Sequence, residues 1–246
     1  MCTLVLLRRP KTPWPLLLAA NRDELRTRPS RPPARHWPDR PQVRGGLDVA
    51  AGGTWLGVND DGLVAAVLNR RGTLGPEPGK RSRGELVLEA LDHAEARAAA
   101  EALRAIEPAA YRSFNLVVAD AVDAFWIRHV GDGAVQARPI GPGVHMIEAG
   151  ELDDPASARI ARYLPQFRFV PPPAPELEEW SAWQALLADR SSRTGDPRDG
   201  MSIVTHGEYG TVSASLVALP EHVTTPARFL HAEGRPGEMP FSAVPI

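Results

Sequence analysis

Cys2 is the only cysteine among 246 residues, and it stands directly behind Met1. Removal of the initiator methionine leaves a free α-amine on the residue that carries the thiol. An amine of pKa ~7.7–8.0 can serve as general base for a thiol of pKa ~8.5, so nucleophile and base share one residue. This is the N-terminal variant of triad chemistry, and it requires no histidine partner. The competing reading of Cys2 is a small apolar residue that begins a strand.

A second polar group ends the next apolar run. Asn21-Arg22-Asp23-Glu24 follows "LLLAA", and on an extended strand Asn21 and Asp23 face one way while Arg22 and Glu24 face the other. If the two N-terminal strands pair, one side of this run lies beside Cys2. An aspartate there orients the terminal ammonium, and an arginine favours thiolate. A charge at ~4 Å and an effective dielectric of ~20 contributes about 4 kcal/mol, or roughly 3 pKa units. The competing reading is a solvated charged strand end.

The elements that must position these residues follow from patterning. "CTLVLL" and "WPLLLAA" flank the turn-rich "RRPKTP" and read as a hairpin. The Arg- and Pro-dense stretch 21–46 reads as a long ordered loop, whose part 26–44 is either a solvated cover or a lid over the Cys2 site. "TWLGV" and "LVAAVLN" surround "NDDG" as a second hairpin. Ser82 and Glu85 have capping-box spacing before a helix that runs to about Ile106. "FNLVVAD", "AFWIRHV" and "AVQARPI" read as a strand meander, and 154–164 and 177–187 as helices. "MSIVTH" and "TVSASLVALP" return to strand. This order argues for an α+β layer fold with mainly antiparallel sheet, in a single domain over 1–246.

Composition narrows the function classes. The hydrophobic fraction is 43%, and the net charge of −2 offers nothing to nucleic acid or an anionic membrane. No Gly-x-Gly-x-x-Gly or Walker-type loop supports a nucleotide cofactor, and the seven histidines lack metal-ligand spacing. Trp55 reads as core or pocket wall, and His36, His145 and His206 as surface or satisfied core residues. One cysteine excludes an intramolecular disulfide, and no apolar run approaches the ~20 residues of a membrane span. A cytoplasmic protein is the expectation. Only Lys11 and Lys80 are lysines, a bias that points to a GC-rich, bacterial genome.

"MCTLVLL", "LLLAANRDEL", "GGTWLGVNDDGLVAAVLNRR", "SRGELV", "FNLVVAD" and the Tyr209-Gly210-Thr211 stretch, in that order, resemble the NRDE family, which includes the transport and Golgi organisation protein 2 group. The resemblance spans about residues 1–219. It implies an N-terminal-nucleophile (Ntn) hydrolase-like αββα sandwich, with Cys2 as nucleophile of a non-peptide C–N amide hydrolase. Asp23 matches the aspartate that orients its amine, Asn21 a neighbouring pocket residue, and Asn69 a backbone donor of the oxyanion hole. The position of the acylase arginine is Ala20, with Arg22 adjacent and expected on the opposite strand face from the site. Two departures weigh against an ordinary amide hydrolase. Ala149 follows Glu148 where the hydrolases carry an oxyanion asparagine, worth ~10²–10³ in rate, and Val212 stands where relatives carry arginine. Hydrolysis requires no cofactor. The resemblance also implies a second class, a non-enzymatic carrier of haem or another lipid-linked ligand on the same fold.

Overall fold

The computed structural model describes residues 2–245; the expected loss of Met1 lies outside the described residues. Among the described residues, thirteen strands are distributed over two antiparallel sheets. The first contains β1 (Thr3–Arg8), β2 (Leu16–Leu25), β10 (Gly143–Ile147), β11 (Tyr209–Leu219), β12 (Arg228–Ala232) and β13 (Ser242–Ala243), in the order β10-β1-β2-β11-β12-β13. The second runs in sequence order through β3 (Ser30–Ala34), β4 (Val43–Asp48), β5 (Leu56–Asn59), β6 (Val64–Asn69), β7 (Phe114–Ala119), β8 (Ala124–His129) and β9 (Gln136–Pro139). The helices are α1 (Gly84–Ala90), α2 (Ala96–Arg104), α3 (Ala158–Phe169) and α4 (Ser181–Ala188).

Strand periodicity divides the apolar residues into three layers. Leu4 and Leu6 of β1, Leu16 and Leu18 of β2 and Val217 of β11 point between the sheets, where they meet Leu56, Val64, Leu68 and Trp126 of the second sheet. Their neighbours Val5, Leu7, Leu17, Ala19 and Leu216 point outward onto Ile160, Tyr163 and Trp183 of α3 and α4. Leu63, Ala65, Leu116 and Val118 form the outer core with α1 and α2. The result is the expected αββα sandwich. Burial on both faces explains why β1, β2 and β11 read as continuous apolar runs rather than alternating ones.

Four local expectations are corrected. Residues 21–46 are not a loop: β2 continues to Leu25, and β3 and β4 form an edge hairpin of the second sheet. The prolines of β3 are tolerated because an edge strand has no neighbour on one side. The single helix 82–106 is two helices, since Leu91 to Glu95 breaks the run. The Ser82 capping box does not form: Glu85 pairs with Arg81 at 2.7 Å, and the Ser82 hydroxyl accepts only from the Gly84 amide. "MSIVTH" is irregular, holding one bridge between Val204 and Gly210. Its amides bond outside a ladder: the Ser202 N–H donates to the Asp189 carbonyl at 2.9 Å and the Ile203 N–H to Thr211 Oγ1 at 2.8 Å.

Two close approaches bring the second sheet and α1 to the site. An added Cβ at Gly53 would sit 2.6 Å from the Gly84 carbonyl carbon, so only glycines let the "GGT" and "SRG" segments touch. The Thr54 N–H donates to the Gly84 oxygen there, 3.2 Å away. This seam fixes Arg83 next to Thr54 and Trp55.

Candidate active site

Cys2 precedes β1 at the sheet end where β2 finishes. Thr3 pairs with Asn21, so the same register brings Cys2 opposite Arg22. The Cys2 thiol donates to the Asp23 carbonyl oxygen at 3.7 Å. Cys2 lines a cavity of about 220 Å³ together with Arg22, Trp55, Asn69 and Arg83. The sequence-based site is therefore brought together in part: Cys2, Arg22 and Asn69 share this cavity.

The arginine expectation is overturned. Arg22 continues the inward row of Leu16, Leu18 and Ala20 and projects between the sheets, on the thiol side. Its guanidinium carbon lies 4.1 Å over the Trp55 ring, and Nη1 donates to Ser30 Oγ at 3.1 Å. Asn21 and Asp23 project through the other face, towards the helices. The Asn21 amide donates to the carbonyls of Leu187 (3.0 Å) and Met201 (2.9 Å), stitching α4 and its following loop to β2. Asn21 also borders a narrow apolar cleft behind Cys2, but its side-chain donors are committed to these carbonyls.

Asp23 sits in a buried polar cluster that composition alone does not announce. Thr211 Oγ1 donates to Asp23 Oδ1 at 2.6 Å, and Arg159 of α3 approaches Oδ2 at 3.5 Å. Arg159 also donates to Thr3 Oγ1 and lies 3.9 Å from Glu148, which accepts from Ser157 Oγ at 2.6 Å. The Arg159 side chain is only 1% exposed, so it is a paired interior charge and not a ligand-facing one. Glu148 thus belongs to the layer under the sheet, and Ala149 is buried with its carbonyl bonded to the Arg71 amide. Val212 falls in a β-bulge between Thr211 and Ser213, without a register partner on β2.

The electrostatics of the thiol have named sources. Burial pushes the Cys2 thiol up, and the Asp23 carboxylate adds to that, while Arg22 acts in the opposite direction. Burial lowers the Arg83 guanidinium to about 10, with Arg112 contributing. Sequence reasoning missed Arg83, Arg159, Ser213, which lines the apolar cleft behind Cys2, and His231. Arg83 was hidden inside the apparent capping box. The other three depend on cross-strand and helix–sheet registers that no local pattern encodes. His231, paired with Ser215 Oγ at 3.0 Å, is lowered to about 4 by burial and by Arg22.

Residues 1–168 match the family model described as Transport and Golgi organisation 2. The chain belongs to that family. Curated relatives of the Transport and Golgi organisation 2 family include the mouse homologue, 38% identical over 115 residues, and the human homologue, 37% identical over the same length. Those alignments cover 45% of this chain and 40% of each relative, so the match spans less than half the length of either protein. Among solved structures, the Caenorhabditis elegans orthologue of N-acylethanolamine-hydrolysing acid amidase superposes with TM-score 0.59 at 12% identity, covering 90% of this chain and 94% of its own. A variant of the conjugated bile acid hydrolase from Clostridium perfringens gives TM-score 0.59 at 13% identity, covering 99% and 92%. This member of the Transport and Golgi organisation 2 family therefore has the Ntn-hydrolase fold, an α+β sandwich of mostly antiparallel sheet. No helix among the described residues is long and apolar enough to cross a membrane.

Proposed function

We propose that this protein is an N-terminal-cysteine hydrolase of non-peptide C–N amide bonds. The observation that carries the reading is the placement of the Cys2 thiol, at the open end of β1, in one cavity with Arg22 and Asn69. After loss of Met1, the Cys2 sulfur attacks the amide carbonyl carbon and a C–S bond forms. The thiol proton passes to the Cys2 α-amine. Asp23, whose main-chain oxygen is already 3.7 Å from the sulfur, orients that amine. The carbonyl oxygen takes up negative charge beside the Asn69 main-chain donor and the Arg22 guanidinium. The C–N bond then breaks, the leaving amine takes the proton from the α-amine, and water cleaves the thioester.

The test is direct. Intact mass should show Met1 removed, and an acyl-directed thiol probe should label Cys2 in the native protein but not in C2A. A folded, processed protein that neither labels nor releases amine from any N-acyl amide removes the reading.

A second reading is non-hydrolytic binding of a haem-like or lipid-linked small molecule. Its support is Ala149, which offers no side-chain donor at the sequence position the resemblance assigns to the oxyanion asparagine, and which is buried outside the cavity lining. Against haem as the occupant stands the cavity itself: about 220 Å³ is below the ~300–1,000 Å³ usual for drug-sized ligands. Cys2 is the one lining side chain suited to axial ligation of iron. A saturable Soret shift on haem titration that vanishes in C2A supports this reading, and the absence of a shift removes it.

A further inference from the structure

The cavity around Cys2 carries more positive than negative charge, and two of its five arginines form no ion pair among the described residues. Six cationic side chains line it against three carboxylates. Most of these charges are spoken for. Arg28 pairs with Asp48 at 2.8 Å, Arg112 with Glu77 at 3.1 Å, and Arg81 with Glu85 at 2.7 Å. Lys80 donates to the Ala109 carbonyl at 2.6 Å. Glu24, the remaining carboxylate, accepts from the Leu25 amide at 2.8 Å and reaches Arg22 and Arg83 only through its longer-range field.

Arg22 and Arg83 differ from the other three arginines. Neither has a carboxylate within 4.0 Å among the described residues. Arg83 spends its Nη donors on Thr73, Ser113 and the Gly75 carbonyl, which locks its charge in place. Arg22 is 5% exposed, lies over the Trp55 ring, and gives one donor to Ser30. A guanidinium has five N–H donors in a fixed fork that suits a planar carboxylate. A buried cation such as Arg22 without a paired anion is costly, and the cavity gives a ligand anion access to it.

We infer that the cavity takes a carboxylate-bearing amide, its anion gripped by the Arg22 fork in the field of the fixed Arg83 charge, next to the Cys2 sulfur. This rests on the hydrolase reading for the word amide, but the anion preference itself does not. The Arg22 fork is shared between the substrate anion and the developing oxyanion, so the carboxylate must lie close to the scissile bond, as in N-acylated α-amino acids.

The experiment compares alkylation of Cys2 by iodoacetate and by iodoacetamide, reagents of similar size that differ in charge. In each, the thiolate displaces iodide as the C–S bond forms. Relative to free cysteine, the rate ratio should favour iodoacetate by on the order of 10-fold at low salt, because a cationic cleft concentrates anions. The preference should shrink in 0.5 M NaCl, fall with R22Q and with R83Q, and persist largely in R22K, which keeps the charge. The wild-type salt series stands even if a variant fails to fold. A folded wild type whose ratio equals that of free cysteine, or whose Cys2 resists iodoacetate altogether, overturns the inference. Hydrolysis is scored separately, with an N-acylglycine against the matched N-acylpropylamine. Anion-selective alkylation without cleavage of either amide sinks the hydrolase reading and leaves the anion site standing. Equal cleavage of both amides does the reverse.

Discussion

The Arg22 guanidinium carbon lies 4.1 Å over the Trp55 ring, joining β2 of the first sheet to the segment before β5 of the second in the lining of the Cys2 cavity. Trp55 is itself fixed by the absence of a side chain at Gly46, where an added Cβ would fall 2.2 Å from the indole. Gly46→Ala must therefore displace the ring that supports Arg22. Overpacking of this kind costs ~1–3 kcal/mol. The expected outcome is a folded, less stable protein in denaturant titration, with slower labelling of Cys2 at constant pH.

The thiol gives a pH prediction with a defined sign. Burial and Asp23 raise it, so the rate of alkylation by neutral iodoacetamide should reach half-maximum above the ordinary thiol value of ~8.5. Arg22 works in the opposite direction, so R22Q should move the midpoint further up. A midpoint in R22Q at or below that of the wild type contradicts the placement of Arg22 beside the sulfur.

His231 predicts a stability slope. Its folded pKa of about 4 lies below the unfolded ~6.5, so the unfolded chain binds the extra proton between those values. Stability from this group is complete above about pH 6.5 and is lost as pH falls towards 4, by up to about 3 kcal/mol. Equilibrium unfolding at a series of pH values should show this loss, and H231Q should flatten the curve in that window.

Arg159 is the cation shared by Asp23 and Glu148 beneath the sheet. Arg159→Ala should destabilise the protein by about 3–5 kcal/mol, because breaking a buried pair costs more than the pair contributes. Adding Glu148→Gln should recover part of that loss by removing one of the two carboxylates. A double mutant no more stable than R159A would show that Glu148 is not coupled to the arginine.

Asn115 is fully buried and makes four hydrogen bonds. Its amide donates to the Glu148 and Gly150 carbonyls at 2.9 and 2.8 Å, and its oxygen accepts from Arg70 at 2.7 Å and Trp126 at 3.1 Å. It ties the loop at Ala149 to the end of β6, where Asn69 stands. Asn115→Ala strands those partners and should cost roughly 2–4 kcal/mol, read as a lower melting temperature. Under the hydrolase reading it should also lower kcat with little change in KM, since the loop lines no part of the binding cavity.

Much of the layer plan was legible in the chain. The hairpins at 3–25 and 56–69 and the meander at 114–139 follow from apolar runs separated by turn formers, a local signal. The stretch 21–46 was misread because prolines suppress the strand pattern, and an edge strand satisfies them only once its sheet exists. The helix break after Leu91 was equally invisible, since α1 and α2 each answer to a different patch of the second sheet.

The sequence by itself determined that a lone thiol stands beside the Met1 terminus and that Asn21 and Asp23 share a strand face opposite Arg22. Strand alternation guarantees that relation. Only the tertiary structure decided which of the two faces meets the thiol. That choice depends on the β1–β2 register set by the turn from Arg9 to Pro15, and on which face is covered by the second sheet and which by helices. The register pairs Thr3 with Asn21, so Arg22 joins Cys2 between the sheets, while Asp23 turns to Arg159 on the helix side. A period of two fixes the difference between neighbours but carries no information about which side is the pocket.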